Sequence, residues 1–318
     1  MLADAIFLGM PAILRSPSTL RLIETVKRVA QSESAVLITG ESGSGKEIIA
    51  RAIHHYSLRH SKPWVDVNCS ALPENLVESE LFGNERGAFS GADVARPGLF
   101  EVATSGSLFL DEIGELEPKM QVKLLRVLDG VPFYRLGGRR KIEVNVRIIA
   151  ATNRNLQEAV QTRQFRADLY HRLNQIQLRL PPLRDRPEDI DGLARLFIHE
   201  TNAELRLAPE ALARLIEYPW PGNVRELRNV VTRAALLALS SELRPQDFDF
   251  ADENGWRAIS DGGPVRELQE LERQAILRAL SETGGNQKEA AMLLGISSRT
   301  LSRKLKTYGQ AHAVGTQG

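Results

Sequence analysis

The chain has 318 residues, 42% hydrophobic and 25% charged, with a formal net charge of +1 at pH 7. This composition is globular, long enough for one large domain and one small one, and it excludes a disordered polymer. Near-neutral charge excludes a molecule-wide attraction to nucleic acid, so any such preference must be local.

The single cysteine, Cys69, excludes an internal disulfide and suits a reducing cytoplasm. Cys69 itself reads as a small buried hydrophobe. The apolar run 5–14 is short, interrupted by Gly9 and Pro11, and lacks a preceding basic residue. Neither a membrane span nor a secretory signal is expected from it. To about residue 180, short apolar runs alternate with helix-like segments, which predicts an α/β domain with a mostly parallel sheet. Strands are expected at 36–39, 65–68, 107–110, 147–151 and 175–180, with helices that include 46–55 and 118–128.

The first chemical motif is Gly40-Glu41-Ser42-Gly43-Ser44-Gly45-Lys46, between a β-branched strand and a helix. In that setting backbone N–H groups at the helix N-terminus face an anion, and Lys46 adds a point charge toward phosphates. Glu47 stands where a Ser or Thr magnesium ligand is usual. Further on, Gly87-Ala88-Phe89-Ser90-Gly91-Ala92 is poor helix and poor strand around one aromatic. By itself it reads as a surface turn or as a contact loop. Asp111 and Glu112 then end an apolar strand, Asp111 suited to help hold Mg²⁺ and Glu112 to polarise an attacking water. Thr152 and Asn153 end a further strand, as polar groups able to sense a γ-phosphate.

Residues 190–202, 209–216 and 223–239 have apolar residues three and four apart, a helical pattern that forms a lid on the core. The expected division is an α/β core at 1–182, a lid at 183–243, a linker at 244–264, a small all-α domain at 265–309 and a polar tail at 310–318. Within 286–306, Ala290, Ala291, Leu293 and Leu294 pack one helix, Gly295 breaks it, and Ser297 or Ser298 caps a second. Its outward residues make this end locally basic, the footprint of a helix-turn-helix on DNA. The DNA-facing set is Ser298, Arg299, Thr300, Ser302, Arg303, Lys304 and Lys306, with Arg299 and Arg303 on bases or phosphates.

Together these segments resemble the bacterial enhancer-binding proteins, the AAA+ activators of sigma-54 RNA polymerase. The likeness runs from about residue 8 to 309 through GESGSGKE, VNCSAL, ESELFG, GAFSGA, SLFLDEIGEL, RLGG, VRIIAATNRNL, FRADLYHRLN, LPPLRDRPEDI and WPGNVRELRN. It implies an AAA+ P-loop core with a parallel sheet flanked by helices, an α-helical lid, and a Fis-type helix-turn-helix. It implies an ATPase using ATP and Mg²⁺, with the phosphate loop 40–47 as cradle and Asp111 and Glu112 as its acidic pair. Asn68 would couple to Glu112, Thr152 and Asn153 would form the first sensor, and Arg225 the second. Arg166 and Arg172 match arginine fingers that reach a neighbouring subunit, so activity is expected to depend on a homo-oligomer, hexameric by resemblance.

GAFSGA, residues 87–92, would contact sigma-54, with Ser90 where threonine is usual. Arg135 to Gly138 match a second loop expected to move with it. The implied partners are sigma-54 RNA polymerase holoenzyme and enhancer DNA, with no membrane. Because the core begins almost at Met1, no N-terminal regulatory domain is expected before it. Two other readings share parts of this pattern. A replication initiator or other AAA+ remodeller has no use for GAFSGA, and a binding-only regulator has no use for intact Lys46, Asp111, Glu112, Arg166 and Arg172.

Overall fold

A computed structural model describes residues 3–71, 74–89, 92–250 and 283. The chain divides into two compact units, Met1–Asp249 and Phe250–Gly318. The expected helix-turn-helix, with Ser298, Arg299, Thr300, Ser302, Arg303, Lys304 and Lys306, lies outside the described residues, as do Ser90 and Gly91.

The first unit opens with a hairpin of β1 (Ala5–Phe7) and β2 (Met10–Ala12), followed by α1 (Pro17–Ala30). Ser16 caps α1 by accepting the Thr19 N–H at 3.1 Å, and Pro17 fits the first turn, where no N–H is needed. Next come β3 (Val36–Thr39), α2 (Lys46–His55), β4 (Trp64–Asn68) and α3 (Glu74–Phe82). A two-residue pair, β5 (Gly83–Asn84) and β6 (Arg96–Pro97), closes the excursion that carries GAFSGA. The core finishes with α4 (Leu99–Val102), β7 (Ser107–Asp111), α5 (Pro118–Leu128), β8 (Arg147–Thr152), α6 (Leu156–Gln161), α7 (Ala167–Leu173) and β9 (Ile176–Arg179).

Five strands form one parallel sheet in the order β4-β7-β8-β3-β9. Both faces are covered, which is why these strands are apolar throughout rather than alternating. Leu37, Leu108, Leu110, Ile148 and Ala150 pack with residues of α3, α5, α6 and α7 on one face. Val36, Ile38, Phe109, Ile149 and Ala151 pack with α1, α2 and the hairpin on the other. Arg147, 1% exposed, donates to the carbonyls of Ala30 at 2.7 Å and Val29 at 2.9 Å, placing its charge at the C-terminus of α1, where the helix dipole favours a cation. Cys69 is buried, and burial pushes its thiol pKa up to about 12.

The lid comprises α8 (Glu188–Thr201), β10 (Arg206–Leu207), α9 (Pro209–Glu217), α10 (Asn223–Leu237) and β11 (Glu242–Leu243), with β10 and β11 paired in parallel. Trp220 is fully buried among them and donates from Nε1 to the Leu215 carbonyl at 2.7 Å. The linker expected from residue 244 begins too early. Phe248 is 2% exposed, and Arg214 reaches back to the Pro245 carbonyl at 2.8 Å, so 244–249 packs as part of the lid. No helix among the described residues is long and apolar enough to cross a membrane.

Candidate active site

Parallel strands gather their polar ends at one edge, and here the carboxyl ends of β3, β8, β7 and β4 lie side by side. The phosphate loop leaves β3 and enters α2, and Gly40 N–H donates to the Thr152 carbonyl at 3.3 Å, tying the loop to β8. Lys46 is 6% exposed; its Nζ donates to the carbonyls of Gly40 at 3.1 Å and Glu41 at 3.2 Å. It also lies 3.8 Å from Glu112 Oε1. Burial lowers the Lys46 pKa, and the charges of Glu112 and Asp111 oppose that shift. This ammonium is thus desolvated, with hydrogen bonds among the described residues only to two backbone carbonyls, so that it can still bind an anion.

Asp111 ends β7 and accepts the Glu112 N–H at 3.0 Å. Burial raises its pKa, and the neighbouring Glu112 charge adds to the shift. Glu112 has φ 50° and ψ 48°, a left-handed conformation that costs a non-glycine residue on the order of 1–3 kcal/mol. The turn brings its Oε2 to the Asn153 N–H at 3.3 Å, while Oε1 faces Lys46. Thr152 is buried and its Oγ1 accepts the Arg154 N–H at 3.1 Å. Lys46, Asp111, Glu112, Thr152 and Asn153 are thus brought together. Asn68 is not brought onto Glu112 as expected. Its strand position pairs with Asp111, but its Oδ1 is taken by the Ser70 N–H at 2.9 Å and hydroxyl at 2.7 Å.

The lid closes the loop from the other side. Val224 and Arg225 donate their N–H groups to the Gly43 carbonyl at 3.0 and 3.3 Å, and Arg225 Nη1 donates to Ser42 Oγ at 2.9 Å. Ser44 Oγ donates back to the Glu41 carbonyl at 2.7 Å. Two clamps were missed in the sequence. Arg184 grips the Glu41 carboxylate with two bonds, at 2.9 and 2.6 Å, and Asn223 donates to it at 3.0 Å. The Arg184 hydrogen bond, then that of Asn223, hold the Glu41 pKa down to about 2.

A cavity of about 670 Å³ runs from the phosphate loop to an apolar end lined by Met10, Pro11, Leu14, Leu193 and Phe197. The hairpin and α8 supply that end, which sequence reasoning also missed. The short apolar stretch with Gly9 and Pro11 was its only trace. Glu47 lines the cavity too, but its carboxylate pairs with Arg51 at 2.6 Å. Asp111, Glu112 and Glu47 are the carboxylates that line the phosphate-loop end of the cavity. Among the described residues no three such groups form a cage, so further ligands to a divalent cation would have to be phosphate oxygens or water.

Arg166 and Arg172 are not brought into this cavity. Arg166 makes a two-bond pair with Asp168, at 3.0 and 2.7 Å, and Arg172 caps the Leu128 carbonyl at 2.7 Å beside Asp129. The GAFSGA segment lies elsewhere again. Gly87 N–H donates to the Ala92 carbonyl at 2.8 Å, and Phe89 is 40% exposed. The second loop is bound to the stem of the first: Leu136 exchanges backbone bonds with Gly83 and Glu85 at 2.9 and 3.0 Å. Arg135 adds a two-bond grip on Glu101, at 2.8 and 2.7 Å, and reaches Glu85 at 3.2 Å.

Comparison with known proteins matches residues 12–179 to the Sigma-54 interaction domain, 184–255 to the AAA+ ATPase lid domain, and 267–308 to the bacterial regulatory protein, Fis family. The chain is 45% identical over 310 residues to the regulatory protein AtoC of Escherichia coli, covering 93% of this chain and 67% of AtoC. It is 44% identical over 322 residues to the transcriptional regulatory protein FlbD of Caulobacter vibrioides, covering 95% and 71%. Among solved structures, NtrX from Brucella abortus in complex with ATP superposes with a TM-score of 0.70 at 35% identity, covering 92% of this chain and 68% of NtrX. With core, lid and C-terminal residues matched in that order, the chain belongs to the sigma-54-dependent transcriptional activators, AAA+ P-loop NTPases that carry a Fis-type helix-turn-helix.

Proposed function

We propose that this chain binds MgATP in the cleft and hydrolyses it within a ring of its own copies, hexameric by family likeness. In this reading the turnover drives the GAFSGA loop against sigma-54 and converts the closed promoter complex into an open one. The observation that carries the reading is the convergence of Lys46, at the start of α2, with Asp111, Glu112 and Asn153 at the ends of the adjacent strands β7 and β8.

Each residue then has a task that follows from its position. Lys46 and the N–H groups of α2 hold the phosphates, and Arg225 carries the lid's response through Ser42. Glu112 polarises the water, its carboxylate aimed by the left-handed backbone and the Asn153 N–H. Asp111 would hold Mg²⁺, which neutralises charge on the phosphates when bound. Arg166 and Arg172, exposed and remote from their own cleft, suit a role at a neighbouring subunit's nucleotide. Phe89 offers an exposed aromatic to sigma-54, and the residues 265–309 hold enhancer DNA.

Open-complex formation with purified sigma-54 holoenzyme tests the reading. The wild type should open the promoter only with ATP, Lys46→Ala should neither hydrolyse nor open, and Phe89→Ala should hydrolyse without opening. Opening by Lys46→Ala, or hydrolysis proportional to protein concentration far below assembly, would overturn it.

A further inference from the structure

Two buried ionic side chains have no part in the contacts described so far, although Arg186 is among the residues lining the cavity. Arg186 is 6% exposed and Asp189 is fully buried. Asp189, in the first turn of α8, accepts the backbone N–H groups of Arg15 at 2.7 Å and Ser16 at 2.8 Å. Its charge therefore sits at the N-terminus of α1, where the helix dipole favours an anion. Arg186, on the segment joining core to lid, lies with Nη1 3.8 Å from Asp189 Oδ2. Its Nη2 donates to the Ser44 carbonyl of the phosphate loop. One turn further, a Cβ on Gly192 would meet Ile13 Cγ2 at 2.7 Å, so α8 is pressed against the strap before α1.

Stability is a poor account of this pair. Arg186 is desolvated, its pKa is lowered by burial, and its Nε has no partner among the described residues. Buried ion pairs with unmet donors are rarely a net gain over apolar packing. The geometric account is better. The Ser44 carbonyl and the Gly45 N–H share one trans peptide unit and so point in opposite directions. Fixing the carbonyl from behind fixes the direction of the N–H, at the residue that caps α2 beside Lys46.

We propose that Arg186 is a positioning residue for phosphate, gripping the Ser44 carbonyl so that the Gly45 N–H is held ready for the anion. Asp189 anchors that grip to α1 and α8. The inference rests on the cleft being the ATP site. It separates phosphate recognition from recognition of the rest of the nucleotide, and that separation makes it testable.

Calorimetric titration of ATP, ADP and adenosine into the full chain is the experiment. Arg186→Met should weaken ATP and ADP by roughly tenfold, the loss of about one well-aimed hydrogen bond to a charged group, while adenosine binding stays unchanged. Arg186→Lys keeps the charge and should recover part of the phosphate affinity. The double variant Arg186→Met with Asp189→Asn leaves no unpaired carboxylate and should recover thermal stability without recovering ATP affinity. Unchanged ATP and ADP binding in these variants, or an equal loss for adenosine, overturns the proposal while leaving the ATP site intact. A wild type that binds neither ATP nor ADP overturns both.

Discussion

Two glycine-rich loops in this molecule have similar composition and opposite surroundings. Gly43 and Gly87 both have left-handed backbones, with φ of +73° and +79°. A Cβ on Gly43 would strike the Gly222 carbonyl at 2.4 Å and Arg225 Cβ at 3.0 Å, whereas one on Gly87 would meet nothing within 4 Å. The phosphate loop is closed in by the lid through Glu41, Ser42 and the Gly43 carbonyl. The GAFSGA loop is held at its stem, by the Gly87–Ala92 bond and by the second loop clipped to Gly83 and Glu85. A loop that must fit a small anion has its backbone determined from several sides. Among its described residues, the 87–92 loop is tied at its stem and touches the second loop at Ala88.

The sharpest way to probe the enclosed side is Glu112→Gln. Steady-state hydrolysis should fall by roughly 10²–10⁴, the usual worth of a general base, with ATP binding retained. If binding falls with turnover, Glu112 belongs to the cradle and not to the water. A direct contest between the two loops comes next. Gly43→Ala should cost about 1–3 kcal/mol from overpacking, besides backbone strain, and should raise the Kd for ATP. Gly87→Ala should cost only the strain, about 1–2 kcal/mol, and leave the ATP Kd alone. Thermal melts with nucleotide titrations decide, and equal effects at both positions would break the comparison.

The smallest expected effect is the pH dependence of the lid clamp. The folded-state pKa of Glu41, about 2, lies below its ordinary value of 4.5, so its ion pair with Arg184 is fully stabilising above pH 4.5. That contribution is lost as pH falls through about 2. The Tm difference between wild type and Glu41→Gln should therefore be widest above pH 4.5 and shrink toward pH 2. A gap that widens on acidification would show that the clamp has the opposite sign.

Much of the core was legible because its signals are local. The strand at Val36–Thr39 and the helices Lys46–His55 and Pro118–Leu128 fall where the pattern put them, since burial on both faces leaves unbroken apolar runs. Asp111 and Glu112 stand out because they directly follow an apolar strand, and Lys46 because its glycine-rich motif joins such a strand to a helix. What stayed hidden depends on distant pairs. Arg184 and Asn223 meet Glu41 across 143 and 182 residues, and Arg186 meets Ser44 across 142, separations that leave no spacing signature. The hairpin strands have three residues each, too few for a period of two to appear. Pro245 and its acidic neighbours look like a linker, and only Leu243 and Phe248 betray that the segment packs. Asn68 is expected to couple to Glu112, but the nearby Ser70 supplies a local hydrogen bond that claims its side chain.

Cys69 has a practical consequence for labelling the chain. It is the chain's single thiol, it is buried, and burial pushes its pKa up to about 12, so the reactive thiolate is scarce at neutral pH. A cysteine introduced at the exposed Phe89 or Leu236 would ionise more readily, near its usual pKa of about 8.5. The wild-type sequence is therefore already a near-silent background for attaching a single fluorophore or spin label, without first removing a native residue from the core.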